Sequence, residues 1–234
     1  MSPGFLSFVR RLGWVLVWAG LYLLGFVAYE LWGTDLLADR SQHRLDQQLA
    51  EILPLQQEKV EERFYDASTG RILAEKPSGQ VETKPIQWEP TPAEAEGFGK
   101  IRIAKIGLDA VMVEGVQRET LKLGPGHMSS TPMPGQPGNA VLSGHRTTYG
   151  APFADLEDLA VGDLIEVETA TGLHTYQLRE PPLVVKPTDI WVTDPREGAW
   201  LTLTTCHPKF SARQRLVVFA ELVSGPNAAS ILES

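Results

Sequence analysis

The hydrophobic pattern changes character along the chain. Leu12 to Trp32 is one apolar run of 21 residues, interrupted only by Glu30. From Lys100 onward, apolar residues fall instead into short runs separated by turn formers. Ile101–Ile106, Ala110–Glu114, Asn139–Ser143, Leu164–Glu168, Thr175–Arg179, Leu183–Lys186, Trp200–Thr205 and Leu216–Leu222 all read as strands. Within one of them, Leu201-Thr202-Leu203-Thr204 alternates apolar and hydroxyl residues, the two-residue period of a strand with one buried face. Short helices are expected around Arg118–Leu123 and Phe153–Leu159, and the Pro- and Gly-rich stretch 124–138 as an irregular loop. Eight short strands with few helices predict a mainly β fold, a closed or nearly closed barrel.

Between the two patterns lies a polar region. Thr34 or Asp35 can cap a helix running to Leu53, with Leu45, Leu49 and Ile52 on one face and Pro54 as its stop. From Pro54 to Gly99 the text turns to Glu, Gln, Pro, Lys and Gly with sparse aliphatics, which reads as a mostly disordered tether. No internal repeat is visible. The expected organisation is an N-terminal stretch 1–11, an apolar span 12–32, a stalk helix and flexible linker 33–98, a β-barrel 99–224 and a polar tail 225–234. The fragment from about residue 99 onward is expected to fold alone.

As a helix, the apolar run would be about 31 Å long, the thickness of a bilayer's hydrocarbon core. Arg10 and Arg11 precede it, while Asp35 and Asp39 follow, so the lysine-and-arginine rule places the N-terminus inside. Trp14, Tyr29 and Trp32 stand near its two ends, where amphipathic rings favour the interface. A cleaved signal peptide fits less well, because its apolar core is normally only about 7–15 residues long and ends in a small-x-small site. A single-pass anchor with the remainder outside the cytoplasm is therefore the expectation.

Charge refines this picture only slightly. The formal charge is −8, and Asp35 to Lys100 holds 13 acidic against 8 basic residues, so most of the excess precedes the predicted barrel. No basic cluster suggests nucleic acid. One cysteine excludes an intramolecular disulfide.

That cysteine, Cys206, ends one predicted strand, and Arg215 opens the next. A nearby cation helps a thiol ionise. A third strand runs out through Ser143 and Gly144 into His145, and histidine is the usual proton shuttle near neutrality. Thiol, imidazole and guanidinium are the parts needed for acyl transfer through a thioester. Each has a duller reading: a small buried hydrophobe for Cys206, a structural histidine for His145, a solvated charge for Arg215. His127 and His207 are the other histidines to weigh as the acid. Zinc-ligand spacing is absent from the sequence, and no cofactor is implied.

The segments TLTTC and HPKFSARQRLVVFAEL, together with NAVLSGHR upstream, resemble the sortases, membrane-anchored cysteine transpeptidases of Gram-positive cell envelopes. The likeness spans roughly Lys100 to Val223. It implies an eight-stranded sortase-type β-barrel with Cys206 as nucleophile, His145 as the histidine and Arg215, rather than Arg213, as the arginine. SGHRTTYGAPFADLEDLAVGD and TCHPKFSAR are most similar to class E sortases of actinobacteria, a class associated with LAXTG-type rather than LPXTG signals. The resemblance also implies that Thr205 lines the site and that Tyr149 lies near the substrate pocket, although an ordinary loop aromatic explains Tyr149 equally well. Implied partners are surface proteins carrying a C-terminal sorting signal and a peptidoglycan precursor amine. Readings from other classes are a pilin-polymerising sortase, another extracytoplasmic cysteine enzyme such as a thiol protease or an L,D-transpeptidase, or a silent peptide-binding β-domain.

Overall fold

A computed structural model describes residues 3–29, 33–78 and 82–232. Helix α1 (Pro3–Ala28) contains a segment, Arg10–Ala28, long and apolar enough to cross a membrane, with none of it buried in the molecule. Glu30 and Trp32, at the far end of the apolar run, lie outside the described residues.

The barrel is built from β4 (Gly97–Ile103), β5 (Leu108–Glu114), β6 (Gly126–His127), β7 (Gly138–Ser143), β8 (Leu164–Thr169), β9 (Gly172–Leu178), β11 (Ala199–His207) and β12 (Gln214–Ser224). The ring runs β12-β11-β7-β6-β5-β4-β8-β9 and closes through a β9–β12 pairing. Closure removes the unpaired edges that an open sheet would present. Its eight strands match the number expected, but not the membership. Two-residue β6, inside the stretch read as irregular loop, is needed to link β5 to β7. β10 (Leu183–Val185), read correctly as a strand, stays outside the ring and pairs with the first residues of β12. The two short helices expected near 118–123 and 153–159 are single 3-10 turns, Thr120–Lys122 and Leu156–Asp158.

Inward-facing residues fill the barrel. Leu201 and Leu203 of β11 and Leu216, Val218, Ala220 and Leu222 of β12 join Ile101, Met112, Leu142, Ile165 and Tyr176 in one core. The apolar run in β12 is unbroken because its other face is covered too: Val217 and Phe219 pack with Val185, Val192 and Trp200. Thr202 on β11 is buried by hydrogen bonding instead, donating to Asn139 Oδ1 at 2.7 Å.

Among the described residues, the region read as stalk helix and mostly disordered tether forms a helix and a small sheet packed on the barrel. Helix α2 (Thr34–Gln57) lays Leu45 and Leu49 against Val111 and Val113 of β5. Pro54 does not stop it; the last turn continues to Gln57, and Gln56 donates to Glu96 Oε1 (3.0 Å) and the Gly97 carbonyl (3.3 Å). After it, β1 (Glu61–Asp66), β2 (Arg71–Leu73) and β3 (Lys84–Trp88) form a three-stranded antiparallel sheet in the order β2-β1-β3. Tyr65 and Ile86 enter the main core. The polar tail also contributes: α3 (Ala228–Leu232) buries Ala228 and Ile231 there, and Asn227 exchanges hydrogen bonds with the backbone of Gln87 at 2.8 and 2.9 Å.

Candidate active site

β11 and β12 form an antiparallel pair in which Cys206 lies directly opposite Arg215. Directly opposed residues share a face of the sheet. Leu203 and Val218, an opposed pair three positions away, point into the core, so Cys206 and Arg215 face outward. Both are half-buried. Arg215 is also paired with Val185 of β10 on its other side. Its Nη1 donates to the carbonyls of Ala212 and Gln214, each at 3.0 Å, while its remaining N–H groups have no acceptor among the described residues. The guanidinium is thus hung from its own loop with part of its fork free.

His145 arrives from β7, which runs parallel to β11 in the register Ser143↔Thr204. Just past the last pair, the Gly144 N–H donates to the Thr204 carbonyl (3.1 Å) and the Thr205 hydroxyl donates to the Gly144 carbonyl (2.7 Å). Gly144 is required there, since a Cβ would sit 2.7 Å from the Phe153 ring. These contacts bring His145 beside Cys206, and the two line one open cleft of 390 Å³ with Arg146, Thr147, Thr148, Phe210, Ser211 and Ala212.

The His145 imidazole Nε2 is buried without a hydrogen-bond partner among the described residues. Partial burial, and then the positive charges of Arg118 and Lys122, hold its pKa below the usual histidine value. The ring gives up a proton readily, which suits a leaving-group acid but keeps the charged form scarce at neutral pH.

Thr205 and Tyr149 sit differently from the expectation. Thr205 points inward, is only 3% exposed, and reaches the site through the backbone next to His145 rather than by lining the cleft. Tyr149 lies against His145, its ring tilted by 39° at 5.1 Å between centroids, and lines a separate 450 Å³ cavity beside α2 rather than the cleft of Cys206. The other histidines are engaged elsewhere. His207 Nδ1 accepts from Arg146 at 2.6 Å, because a guanidinium can only donate. His127 is buried with its Nδ1 2.7 Å from Glu114 Oε2. Arg213 is exposed, and its side chain makes no contact like those of Arg215.

Arg146 is the residue that sequence reasoning passed over. It is 4% exposed and donates to the Cys206 carbonyl (3.1 Å), the His207 ring and the Ala154 carbonyl (3.4 Å), and its Nη2 pairs with Glu157 at 2.7 Å. One buried guanidinium thereby locks the end of the cysteine strand to the segment after the histidine. Its position directly after His145 was the available signal.

A family model described as the sortase domain matches residues 101–223. The chain is 28% identical to sortase SrtE1 of Streptomyces coelicolor over 229 residues, covering 92% of this chain but only 57% of that protein's length. It is 30% identical to sortase SrtE2 of the same organism, covering 92% of this chain and 82% of that one. The solved structure of sortase E from Streptomyces avermitilis superposes with a TM-score of 0.53 and 38% identity, over 59% of this chain and 95% of that one. The paired strands that carry Cys206 and Arg215, the histidine delivered beside them and the closed β-barrel around them place this chain in the sortase family, whose members are cysteine transpeptidases.

Proposed function

We propose that this chain is a membrane-anchored sortase that cleaves an LAXTG- or LPXTG-type sorting signal between Thr and Gly and transfers the acyl part ending in Thr to an amine of a peptidoglycan precursor. The observation that carries the reading is the opposition of Cys206 and Arg215 across one strand pair, with His145 lining the same cleft as Cys206. Cys206 as thiolate attacks the Thr carbonyl carbon, forming a C–S bond and a tetrahedral oxyanion. The free N–H groups of Arg215 bind that oxygen or the neighbouring peptide carbonyls. The C–N bond then breaks as the protonated His145 ring gives its proton to the departing glycine amine. An incoming amine attacks the thioester, neutral His145 takes up its proton, and the thiolate leaves. Similarity to class E sequences favours the LAXTG form. The exposed apolar surface of α1, including Trp14, Leu16 and Leu24, supports a single anchor, and Arg10 and Arg11 ahead of the span favour the barrel outside the cell.

Hydroxylamine trapping tests this directly. Incubated with LAXTG and LPXTG peptides, the wild-type chain should release hydroxamates ending in Thr, seen by mass spectrometry. Cys206→Ala should give none and Cys206→Ser at most a trace, because a serine hydroxyl stays protonated at neutral pH. Near-normal turnover by Cys206→Ala would sink the assignment.

A further inference from the structure

We infer that α2 is part of the catalytic apparatus, with Asp35 as a positioning residue that holds the turn packed against His145; the inference rests on reading His145 as the acid. The turn in question is Tyr149-Gly150-Ala151. All three residues have positive φ, at 54°, 73° and 40°. The left-handed region is unfavourable for the two that carry a Cβ. A turn of this kind persists only when its surroundings fix it. Inside the loop it is tied by the Ala151 N–H to the Thr148 carbonyl (3.0 Å). From outside the loop, Lys122 stands over the Tyr149 ring at 5.6 Å, and the backbone is tied by α2: Asp35 Oδ1 accepts the Gly150 N–H at 3.0 Å. Ala38, one turn further along the helix and 3% exposed, packs so closely that a Cβ on Gly150 would lie 3.3 Å from its methyl.

The turn matters because of what it holds. The Tyr149 ring lies against the His145 imidazole, so the backbone fixed by α2 sets the wall on which the catalytic ring rests. α2 is itself immobilised on the barrel. Gln42 accepts from the Val111 N–H (2.7 Å) and donates to the Val111 and Leu123 carbonyls (3.1 and 2.6 Å). Asp46 pairs with Lys100, and Leu45 and Leu49 bury against β5. A contiguous path of packed groups therefore runs from the first turn of α2 to the proton donor. It begins six positions after the end of α1, the segment fit to sit in a membrane.

The test compares the full chain in detergent micelles with Asp35→Ala and Asp35→Asn. Amide exchange at Gly150 and the NMR signals of the His145 ring are read alongside kcat and KM for a sorting peptide. Asp35→Ala should lose roughly three- to tenfold in kcat with KM within about twofold of wild type, as expected for one lost hydrogen bond. It should also deprotect the Gly150 amide and shift the His145 signals. Asp35→Asn keeps an acceptor oxygen and should restore all three. Wild-type kcat and Gly150 protection in Asp35→Ala, or an Asp35→Asn variant as impaired as Asp35→Ala, would overturn the inference. If wild type yields no thioester to hydroxylamine, the proposed reaction fails on its own. The exchange and ring signals still decide whether α2 holds the histidine turn.

Discussion

Arg215 and Arg213 stand two positions apart, yet only one is built into the sheet. Arg215 is flanked by Cys206 on one strand and Val185 on another, with Nη1 fixed to two loop carbonyls; Arg213 is exposed in the preceding loop. A lysine at 215 would keep the charge but lose the fork, which lets one edge hang from the loop while the other stays free for the substrate contact proposed above. Losing a charge-assisted hydrogen bond costs about 1.5–3 kcal/mol. Arg215→Lys should therefore lower kcat/KM by roughly 10- to 100-fold. Arg213→Ala should stay within about threefold of wild type, as surface substitutions usually do. Steady-state kinetics on one peptide measures both, and a larger loss at Arg213 would reverse the assignment. The three candidate residues stand out in the sequence because their signals are local: a lone thiol ending an alternating run, a histidine leaving a strand, an arginine opening the next. Thr205 was misplaced for an equally local reason. In an extended strand the neighbour of an outward-facing cysteine must face inward.

At the scale of elements, strands with a clear apolar pattern were legible and sheet members without one were not. β6 has only Gly126 and His127, and its existence depends on the neighbours it bridges. The segment 61–88 looked like a tether because its aliphatics are sparse, but Phe64-Tyr65, Ile72-Leu73 and Ile86 fall where three short strands can pair. The turn between the first two strands is built on Asp66, whose carboxylate accepts from the Ser68 backbone N–H (3.0 Å) and hydroxyl (2.6 Å) and from the Thr69 hydroxyl (2.7 Å), ahead of Gly70. These contacts change the expected minimal folding unit. A fragment starting at residue 99 lacks the first two residues of β4 and strips the α2 cover from Val111 and Val113. It also removes Leu45, Leu49, Tyr65 and Ile86. Each such side chain contributes about 1.5–3 kcal/mol when fully buried. That loss is comparable with the roughly 5–15 kcal/mol that holds a typical domain folded. The fragment 34–234 should melt cooperatively near the temperature of the full chain. The fragment 99–234 should be unfolded, or should melt more than about 10 °C lower by circular dichroism. Equal melting temperatures would show that α2 and the small sheet contribute little.

At the scale of the whole molecule, the barrel buries two ionisable groups whose titrations oppose one another. Burial raises the Glu89 carboxyl to about 7, partly offset by hydrogen bonds from Thr169 and Ala170. Burial lowers the His174 imidazole to about 4, although its Nε2 lies 2.8 Å from the Thr171 hydroxyl. Glu89 is protonated more readily in the folded chain than in the unfolded one, so its effect is to make stability fall as pH rises from about 4.5 to 7. His174 is protonated less readily when folded, so its effect is to make stability rise with pH from about 4 to its ordinary value of 6.5. Each shift amounts to about 3 kcal/mol. Between about pH 4.5 and 6.5 the two slopes therefore nearly cancel. Glu89→Gln removes one of them. A glutamine has no proton to lose, so the difference in unfolding free energy between Glu89→Gln and wild type should move in the variant's favour as pH rises. The expected change is about 3 kcal/mol from pH 4.5 to 7, with no further change above that range. Urea titrations of both proteins at several pH values measure that difference, in which every unaltered group cancels. A difference independent of pH would mean that Glu89 titrates alike in the folded and unfolded chain.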